Sequence, residues 1–195
     1  MNEVHSLYEG NIIYESGFVI EAHSSVTLIR TAAADIVVDV SDGPAREAIR
    51  AALADFGTSP EGIDTVVLTH THGDHIGNLD MFPNARVMAH REERPWGGIE
   101  LVEDGQTIVE GVRIMHTPGH TRGSISVVVD SERTFVIAGD ALPTVNNFVK
   151  WVPPGINYDP RVALDSMSRI VDVADVIIPG HGPAFDSHLT KGGPI

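Results

Sequence analysis

One short segment carries most of the candidate metal ligands of this chain: Thr69-His70-Thr71-His72-Gly73-Asp74-His75. It directly follows Thr65-Val66-Val67-Leu68, an apolar and β-branched run that predicts a buried strand. Side chains two apart on an extended chain project to the same side, so His70 and His72 can converge on one metal ion. Gly73 lets the backbone bend sharply, which places Asp74 and His75 on a turn where they can face a second ion.

Three further metal-binding side chains follow strand-like segments later in the chain. Each lies just past an apolar run and beside a glycine; they are His120, Asp140 and His181. Binding and catalytic groups are concentrated at such strand ends. The chain contains no cysteine, so the donors are histidines and carboxylates, which suit zinc, iron or manganese.

The order of these residues resembles that of the metallo-β-lactamase superfamily of metal-dependent hydrolases. His-x-His-x-Asp-His at 70–75 is followed by Pro-Gly-His at 118–120, Ala-Gly-Asp at 138–140 and Pro-Gly-His-Gly at 179–182. The sequence around these motifs, above all at 25–30, 75–79 and 173–183, resembles the branch of metallo-β-lactamase domain-containing protein 1 within that superfamily.

The resemblance implies two divalent metal ions, with zinc expected and iron or manganese as alternatives. It implies that the first ion is held by His70, His72 and His120, the second by Asp74, His75 and His181, and that Asp140 bridges them. The expected catalytic residues are Asp74, His70, His72 and His75. The resemblance also implies that Asp39, at the end of its own predicted strand, supports the metal site without binding an ion.

The resemblance further implies the fold, a four-layer αββα sandwich of two mixed β-sheets. The residue pattern alone indicates an α/β (α+β) chain with hairpins over 11–20, 107–115 and 124–138. It predicts helices over 44–56 and 160–173, the second capped by Asp159. We expect one domain over residues 1–195. Its first half, to about Phe82, would supply one sheet and four ligands, and the remainder would supply the other sheet and three.

Two such ions imply a hydrolase in which a bridging hydroxide attacks a carbonyl or phosphoryl centre. The first hypothesis is hydrolysis of a small ester, thioester or lactone. The alternatives are a phosphodiesterase or endoribonuclease, towards which the narrower resemblance points, and an iron-dependent oxygenase of the same fold. Related flavodiiron proteins carry Glu where His72 stands, which disfavours that subclass of oxygen chemistry.

Composition favours the first of these hypotheses. The 195 residues carry a net charge of −14, which disfavours nucleic acid as a partner because binding to phosphates depends on Lys and Arg. A small-molecule substrate is therefore expected. No signal peptide and no membrane span of about 20 apolar residues is visible, so a cytoplasmic location is expected. The sequence leaves the oligomeric state open.

The segment 142–158 is the expected source of substrate contacts because it follows Asp140 directly. It reads as a long irregular loop, and such loops in compact domains are usually functional. The candidate substrate-binding residues in it are Asn146, Asn147, Trp151 and Tyr158. Trp96, in the loop 91–98 with Arg91 and Arg94, and His188, near the C-terminus, are further candidates. His116 is expected to pack behind the site.

Overall fold

The computed structural model describes residues 1–16 and 18–188. Its helices are α1 (Arg46–Asp55), α2 (Gly73–Ile76), α3 (Val145–Lys150) and α4 (Pro160–Val173). Its strands are β1 (Glu3–Tyr8), β2 (Asn11–Glu15), β3 (Phe18–His23), β4 (Val26–Arg30), β5 (Asp35–Val38), β6 (Thr65–Val67), β7 (Arg86–His90), β8 (Glu100–Val102), β9 (Thr107–Val109), β10 (Val112–His116), β11 (Ile125–Asp130), β12 (Thr134–Gly139), β13 (Val176–Pro179) and β14 (Phe185–Asp186). No helix in these two ranges is long and apolar enough to cross a bilayer.

The strands form two six-stranded mixed sheets and a separate hairpin. The first sheet has the order β1-β4-β5-β6-β7-β8, and the second has the order β14-β13-β12-β11-β10-β9. Strands β5 to β8 run parallel, as do β12 and β13, whereas the other neighbours are antiparallel. The hairpin β2–β3 belongs to neither sheet.

Alternation of apolar side chains along the strands creates three buried layers. In β5, Ile36 and Val38 point to the space between the sheets, whereas Val37 points outward to α1. The central layer joins both sheets, because Ile36 and Val38 share it with Val127 and Ile137 of the second sheet. On the outer face of the second sheet, α3 and α4 cover the third layer. The expected αββα sandwich is therefore confirmed.

The expected division between the sheets was wrong by about twenty residues. We predicted that the first sheet would end near Phe82, but β7 and β8 continue it to Val102. They do so because β7 pairs in parallel with β6 and β8 pairs in parallel with β7. A hydrophobic pattern identifies a strand, but it does not identify the strand's neighbour. The four candidate ligands of the first half and the three of the second half nevertheless follow strands of different sheets.

The parallel pairing brings the candidate ligand segments to one edge of the sandwich. Asp39 follows β5 and the stretch 69–75 follows β6, so the two segments leave the first sheet at the same end. Asp140 follows β12 and His181 follows β13, and these strands are parallel neighbours in the second sheet. The loop between β10 and β11, which carries His120, turns at that same end.

Candidate metal centre

Seven side chains meet at this edge in three overlapping groups, each close enough to surround a cation. The groups are His70, His72 and His120; His70, His75 and Asp140; and Asp74, His75 and His181. Within each group, the donor atoms lie within 4.8 Å of one another. The structure thus brings together all seven residues that the sequence pattern singled out, from four separate loops.

The first group consists of three imidazoles in edge-to-face contact. The His72 and His120 rings are 4.7 Å apart, and Nδ1 of His72 lies 2.9 Å from Nε2 of His120. His120 donates its Nδ1–H to the Ile156 carbonyl oxygen at 2.7 Å. Because that bond holds the proton on Nδ1, Nε2 of His120 carries a lone pair directed at the centre of the group.

His70, His72 and His120 are called the first donor group below, and Asp74, His75 and His181 are called the second donor group. In the second donor group, two imidazoles are oriented in the same way as His120. His75 donates its Nδ1–H to the Asp39 carboxylate at 2.8 Å, and His181 donates its Nδ1–H to the His23 carbonyl oxygen at 2.9 Å. Both Nε2 atoms are therefore free to accept a cation. They lie 3.8 Å and 3.6 Å from Oδ2 of the half-buried Asp74.

Asp140 lies between the two groups. Its Oδ1 is 3.2 Å from Nε2 of His181 and 3.5 Å from Nε2 of His75, whereas its Oδ2 is 3.5 Å from Nε2 of His120. Each carboxylate oxygen thus faces a different group of donors. A carboxylate in this position can serve two cations at once.

The buried polar atoms at the centre show that these residues fit a metal. Nε2 of His70, Nε2 of His75 and Oδ1 of Asp140 are buried and have no hydrogen-bond partner among the described residues. Buried polar atoms without partners are rare, because each costs about 1–3 kcal/mol. Three of them aimed at one point form the donor set that a divalent cation with nitrogen and oxygen ligands would satisfy.

Asp39 fixes the geometry of the donors from behind. Its carboxylate accepts hydrogen bonds from the Thr69 amide at 2.8 Å and the Thr69 hydroxyl at 2.7 Å, in addition to the bond from His75. Its backbone φ of +54° lies in the left-handed region, which Asp tolerates better than most side chains. The bond to His75 is what the supporting role expected of Asp39 requires.

The electrostatic environment shifts the pKa values of the candidate donors in two directions. Burial lowers the pKa of His70 well below its usual range, and burial followed by the neighbouring His120 lowers the pKa of His72. Burial opposes the charge of Asp140, but His75 and His181 outweigh it and hold the pKa of Asp140 well below its usual range. Against burial, Asp39 and Asp140 raise the pKa of His75 well above its usual range, and Asp140 raises the pKa of His181. The site therefore combines two neutral imidazoles, His70 and His72, with an ionised carboxylate beside two imidazoles whose Nε2 protons a bound cation would displace.

A narrow cleft opens beside these groups, and residues that the sequence analysis did not select line it. Its walls consist of Ile12, Tyr14 and Val19 of the β2–β3 hairpin on one side and Pro143, Pro154 and Ile156 on the other, with His120 and Asp140 at its base. The sequence predicted the hairpin, but it gave no indication that the hairpin covers the edge of the sandwich where the candidate metal ligands meet. Burial, followed by the charge of Asp140, raises the pKa of Tyr14, so its phenol stays protonated and can donate a hydrogen bond.

The segment 142–158 is less irregular than predicted. It contains the helix α3, on which Asn146 is exposed and Asn147 is half-buried. The Asn147 amide donates to the Val152 and Pro153 carbonyl oxygens, so it shapes the segment itself. Trp151 packs against the apolar layer beneath α4. The cleft contacts of this segment come instead from Pro143, Pro154, Gly155 and Ile156.

Of the remaining candidate substrate-binding residues, only Tyr158 lies next to a candidate metal ligand. Tyr158 donates its backbone N–H to the Gly119 carbonyl oxygen, beside His120, and its ring lies 4.7 Å below the Arg122 guanidinium. Trp96 is half-exposed and is absent from the cleft lining. His188 lies 3.9 Å from Asp175, at the opposite end of β13 from the candidate ligand, which removes it from the cleft.

A surface cavity of about 520 Å³ lies elsewhere and contains none of the candidate donors. Asn2, Ala33, Glu110 and Asp130 are among its lining residues, and Asp130 is at the start of the turn into β12. Because Asp140 follows the other end of β12, this cavity is at the far edge of the sandwich. We therefore place the chemistry at the smaller cleft.

Comparison with known proteins agrees with this geometry. The profile of the metallo-β-lactamase superfamily matches residues 20–110 and 91–181. A protein of Methanocaldococcus jannaschii whose name describes it as a metallo-hydrolase is 40% identical over 176 residues, which cover 90% of this chain and 84% of the relative. Metallo-beta-lactamase domain-containing protein 1 of Xenopus laevis is 35% identical over 194 residues, covering 94% of this chain and 81% of the relative.

A solved structure shares the same fold. It is that of an N-acyl homoserine lactone hydrolase with the product N-hexanoyl-L-homoserine bound at the catalytic metal centre. The two chains superpose with a TM-score of 0.74 at 20% sequence identity, covering 92% of each chain.

Proposed function

Because this chain belongs to the metallo-β-lactamase superfamily and is a metal-dependent hydrolase, we propose that it hydrolyses a small ester, thioester or lactone with two zinc ions. The observation that carries this proposal is the apolar cleft that opens directly onto Asp140 and His120. The superposed lactone hydrolase, whose product lies at its metal centre, supports the same substrate class.

The proposed ligand set follows the three donor groups. His70, His72 and His120 would hold one ion, Asp74, His75 and His181 the other, and Asp140 would contact both. Nitrogen and carboxylate donors without sulfur also accept iron or manganese, but imidazole-rich sets of this kind suit zinc well.

The bound ions would supply Lewis acidity and a water molecule whose pKa is lowered to about 7. The chain's own residues do the remaining work. Hydrolysis adds a hydroxyl group to the acyl carbon, breaks its bond to oxygen or sulfur, and leaves a proton for the departing group. Asp74 belongs to the second donor group, where its carboxylate can relay a proton to the departing group, and the protonated Tyr14 phenol can donate to a substrate oxygen.

The cleft walls support an apolar acyl group rather than a polyanion. Ile12, Val19, Pro143, Pro154 and Ile156 offer no charge to a phosphate, and sites for small ligands are usually apolar walls with a few polar groups. Desolvation of an acyl chain against these side chains contributes about 25 cal/mol for each Å² of apolar surface buried. Polar contacts with the substrate would come from Tyr14 and from the bound metal ions at the base of the cleft.

We expect the purified protein to hold two metal ions per chain. The physical reason is that two non-identical donor groups share one carboxylate, which can offset the repulsion between two cations. Elemental analysis after zinc reconstitution and dialysis measures the stoichiometry. One ion per chain at saturation would instead support the iron-dependent oxygenase alternative.

We also expect faster turnover of small acyl compounds than of RNA. One zinc-loaded preparation is assayed at low and moderate salt against aryl esters, thioesters and lactones, and separately against single-stranded RNA and a simple phosphodiester. Replacing Ile12 or Val19 by Ser should raise KM most for substrates with longer acyl chains, because each buried CH₂ group contributes about 0.8 kcal/mol. Ile20→Ser on the same hairpin, outside the cleft lining, is the matched control.

A phosphodiesterase is the second candidate, and one observation favours it. Arg122, in the loop that carries His120, lies over the Tyr158 ring, and such a pair can bind a phosphate and stack a base. The arginine clamp considered from the sequence is weaker, since Arg91 forms an ion pair with Glu103. RNA cleavage that is lost in Arg122→Ala, without turnover of the acyl panel, would replace our first proposal.

A further inference from the structure

Glu93 joins the two loops that carry the three histidines of the first donor group. It lies in the 3-10 turn Arg91–Glu93, directly after β7 in the first sheet. One carboxylate oxygen accepts hydrogen bonds from the Thr71 amide and the Thr71 hydroxyl, both at 2.9 Å. The other accepts from the Thr121 hydroxyl and from the Gly123 amide, the latter at 3.1 Å.

These four donors belong to segments of different sheets. Thr71 stands between His70 and His72 in the loop after β6, and Thr121 directly follows His120 in the loop after β10. The first donor group can form only if these loops keep a fixed separation. Glu93 is a single acceptor bonded to both loops, so its carboxylate sets that separation.

The loop between β10 and β11 packs closely against this turn, which is possible because residue 123 is a glycine. A Cβ atom on Gly123 would lie 2.4 Å from the Glu93 amide nitrogen and 2.8 Å from the Glu92 carbonyl carbon. The turn itself is held by His90, whose Nδ1 accepts from the Glu92 amide and whose ring stacks on His116 at 4.1 Å. His90 and His116 belong to opposite sheets, so the stack anchors the turn against both.

We propose that Glu93 is a positioning residue that holds His72 and His120 at the spacing required to bind the first metal ion. It contacts neither the substrate nor the candidate donor atoms, and it acts through Thr71 and Thr121. The inference rests on the ligand set given under the proposed function. Supporting residues of this kind typically change metal affinity by about 10–100-fold when they are replaced.

Glu93→Gln tests the proposal with little change in shape. The amide keeps one accepting oxygen but turns the other into an NH₂ donor, which then faces two donors of one loop. The fold should persist, because the Ile125 amide still bonds the Thr69 carbonyl oxygen between the two sheets. Glu92→Gln is the matched control. It removes the same charge from the neighbouring residue, whose side chain is exposed.

The measurement is the affinity for each of two zinc ions, read from titrations of the metal-free protein against a competing chelator. We expect Glu93→Gln to weaken one ion by about 10-fold or more and to leave the other within about 3-fold of the parent. The weakened ion should be the one lost in His120→Ala, not the one lost in His181→Ala. Glu92→Gln should match the parent for both ions.

The outcomes separate this inference from the proposed ligand set. If His120→Ala and His181→Ala bind both ions as tightly as the parent, the ligand set is wrong. If those variants each lose an ion but Glu93→Gln binds both normally, the positioning role is wrong. Equal weakening of both ions, with a lower unfolding temperature of the metal-free protein, would show a general structural role and also overturn the proposal.

A second variant covers the case in which Glu93→Gln does not fold. Thr71→Val with Thr121→Val removes two of the four donors while retaining the carboxylate and the side-chain volumes. The same selective loss of the first ion is expected, with kcat reduced more than KM is raised. Unchanged zinc affinities in this double variant would contradict the role assigned to Glu93.

Discussion

Asp140→Asn is expected to release both metal ions and to lower kcat/KM by more than about 100-fold, beyond the range seen for supporting residues. The carboxylate faces His181 and His75 with one oxygen and His120 with the other. The amide removes the negative charge that offsets two cations and turns one accepting oxygen into a donor. Elemental analysis and steady-state kinetics on the same preparation measure the effect.

His181→Ala provides the contrast, because His181 belongs to only one of the donor groups. We expect it to weaken chiefly the second ion and to leave the first largely bound. Asp165→Asn, on the exposed face of α4, is the control for the change of charge. Equal loss of both ions from His181→Ala would contradict the division of the ligands into two sets.

Gly180→Ala is expected to damage the same carboxylate by steric displacement. A Cβ atom at this position would lie 2.0 Å from Oδ1 of Asp140 and 2.9 Å from the Gly139 carbonyl carbon. The backbone cannot retreat easily, because the Gly180 carbonyl oxygen accepts from the Ser25 amide at 2.7 Å. We expect the free energy of unfolding to fall by about 1–3 kcal/mol, the usual cost of overpacking.

The activity of Gly180→Ala should fall together with its zinc affinity, since the displaced carboxylate serves both donor groups. Denaturant unfolding of the metal-free protein and zinc titration measure the two effects separately. Gly97→Ala is the matched control, because a Cβ atom there meets nothing within 4 Å and the backbone needs no positive φ. Unchanged affinity for both ions in Gly180→Ala would show that Asp140 does not need its present position.

Helices and strands were predicted correctly where a capping residue, a turn or a clear alternation of apolar residues marks them in the sequence. The helix over 160–173 begins as predicted, because Asp159 accepts hydrogen bonds from the Arg161 and Val162 amides. The hairpins β2–β3, β9–β10 and β11–β12 also stand where the pattern placed them. By contrast, β1, the three-residue β8 and the two-residue β14 were missed, since their burial is mixed or their length is too short for a periodic signal.

Of the two residues that support the candidate metal ligands, one was predicted from the sequence and the other was not. Asp39 could be identified from the sequence because it ends a predicted strand and the family resemblance assigns it a role. Glu93 could not, because it lies in a loop without a motif and its partners, Thr71 and Thr121, are 22 and 28 residues away. Only the docking of two sheets shows that one carboxylate bonds both loops.

Most of the strands and helices, the family and the candidate donors were predictable from the sequence, because strand periodicity and the order of the histidine motifs are properties of short stretches of chain. Tertiary structure decided which strands are neighbours, where the cleft lies and which side chains line it. The hairpin β2–β3 illustrates the difference: its pattern is visible from Asn11 onward, yet its place over Asp140 depends on how the two sheets pack. Contacts between segments more than one hundred residues apart are set by that packing and leave no trace in any single segment.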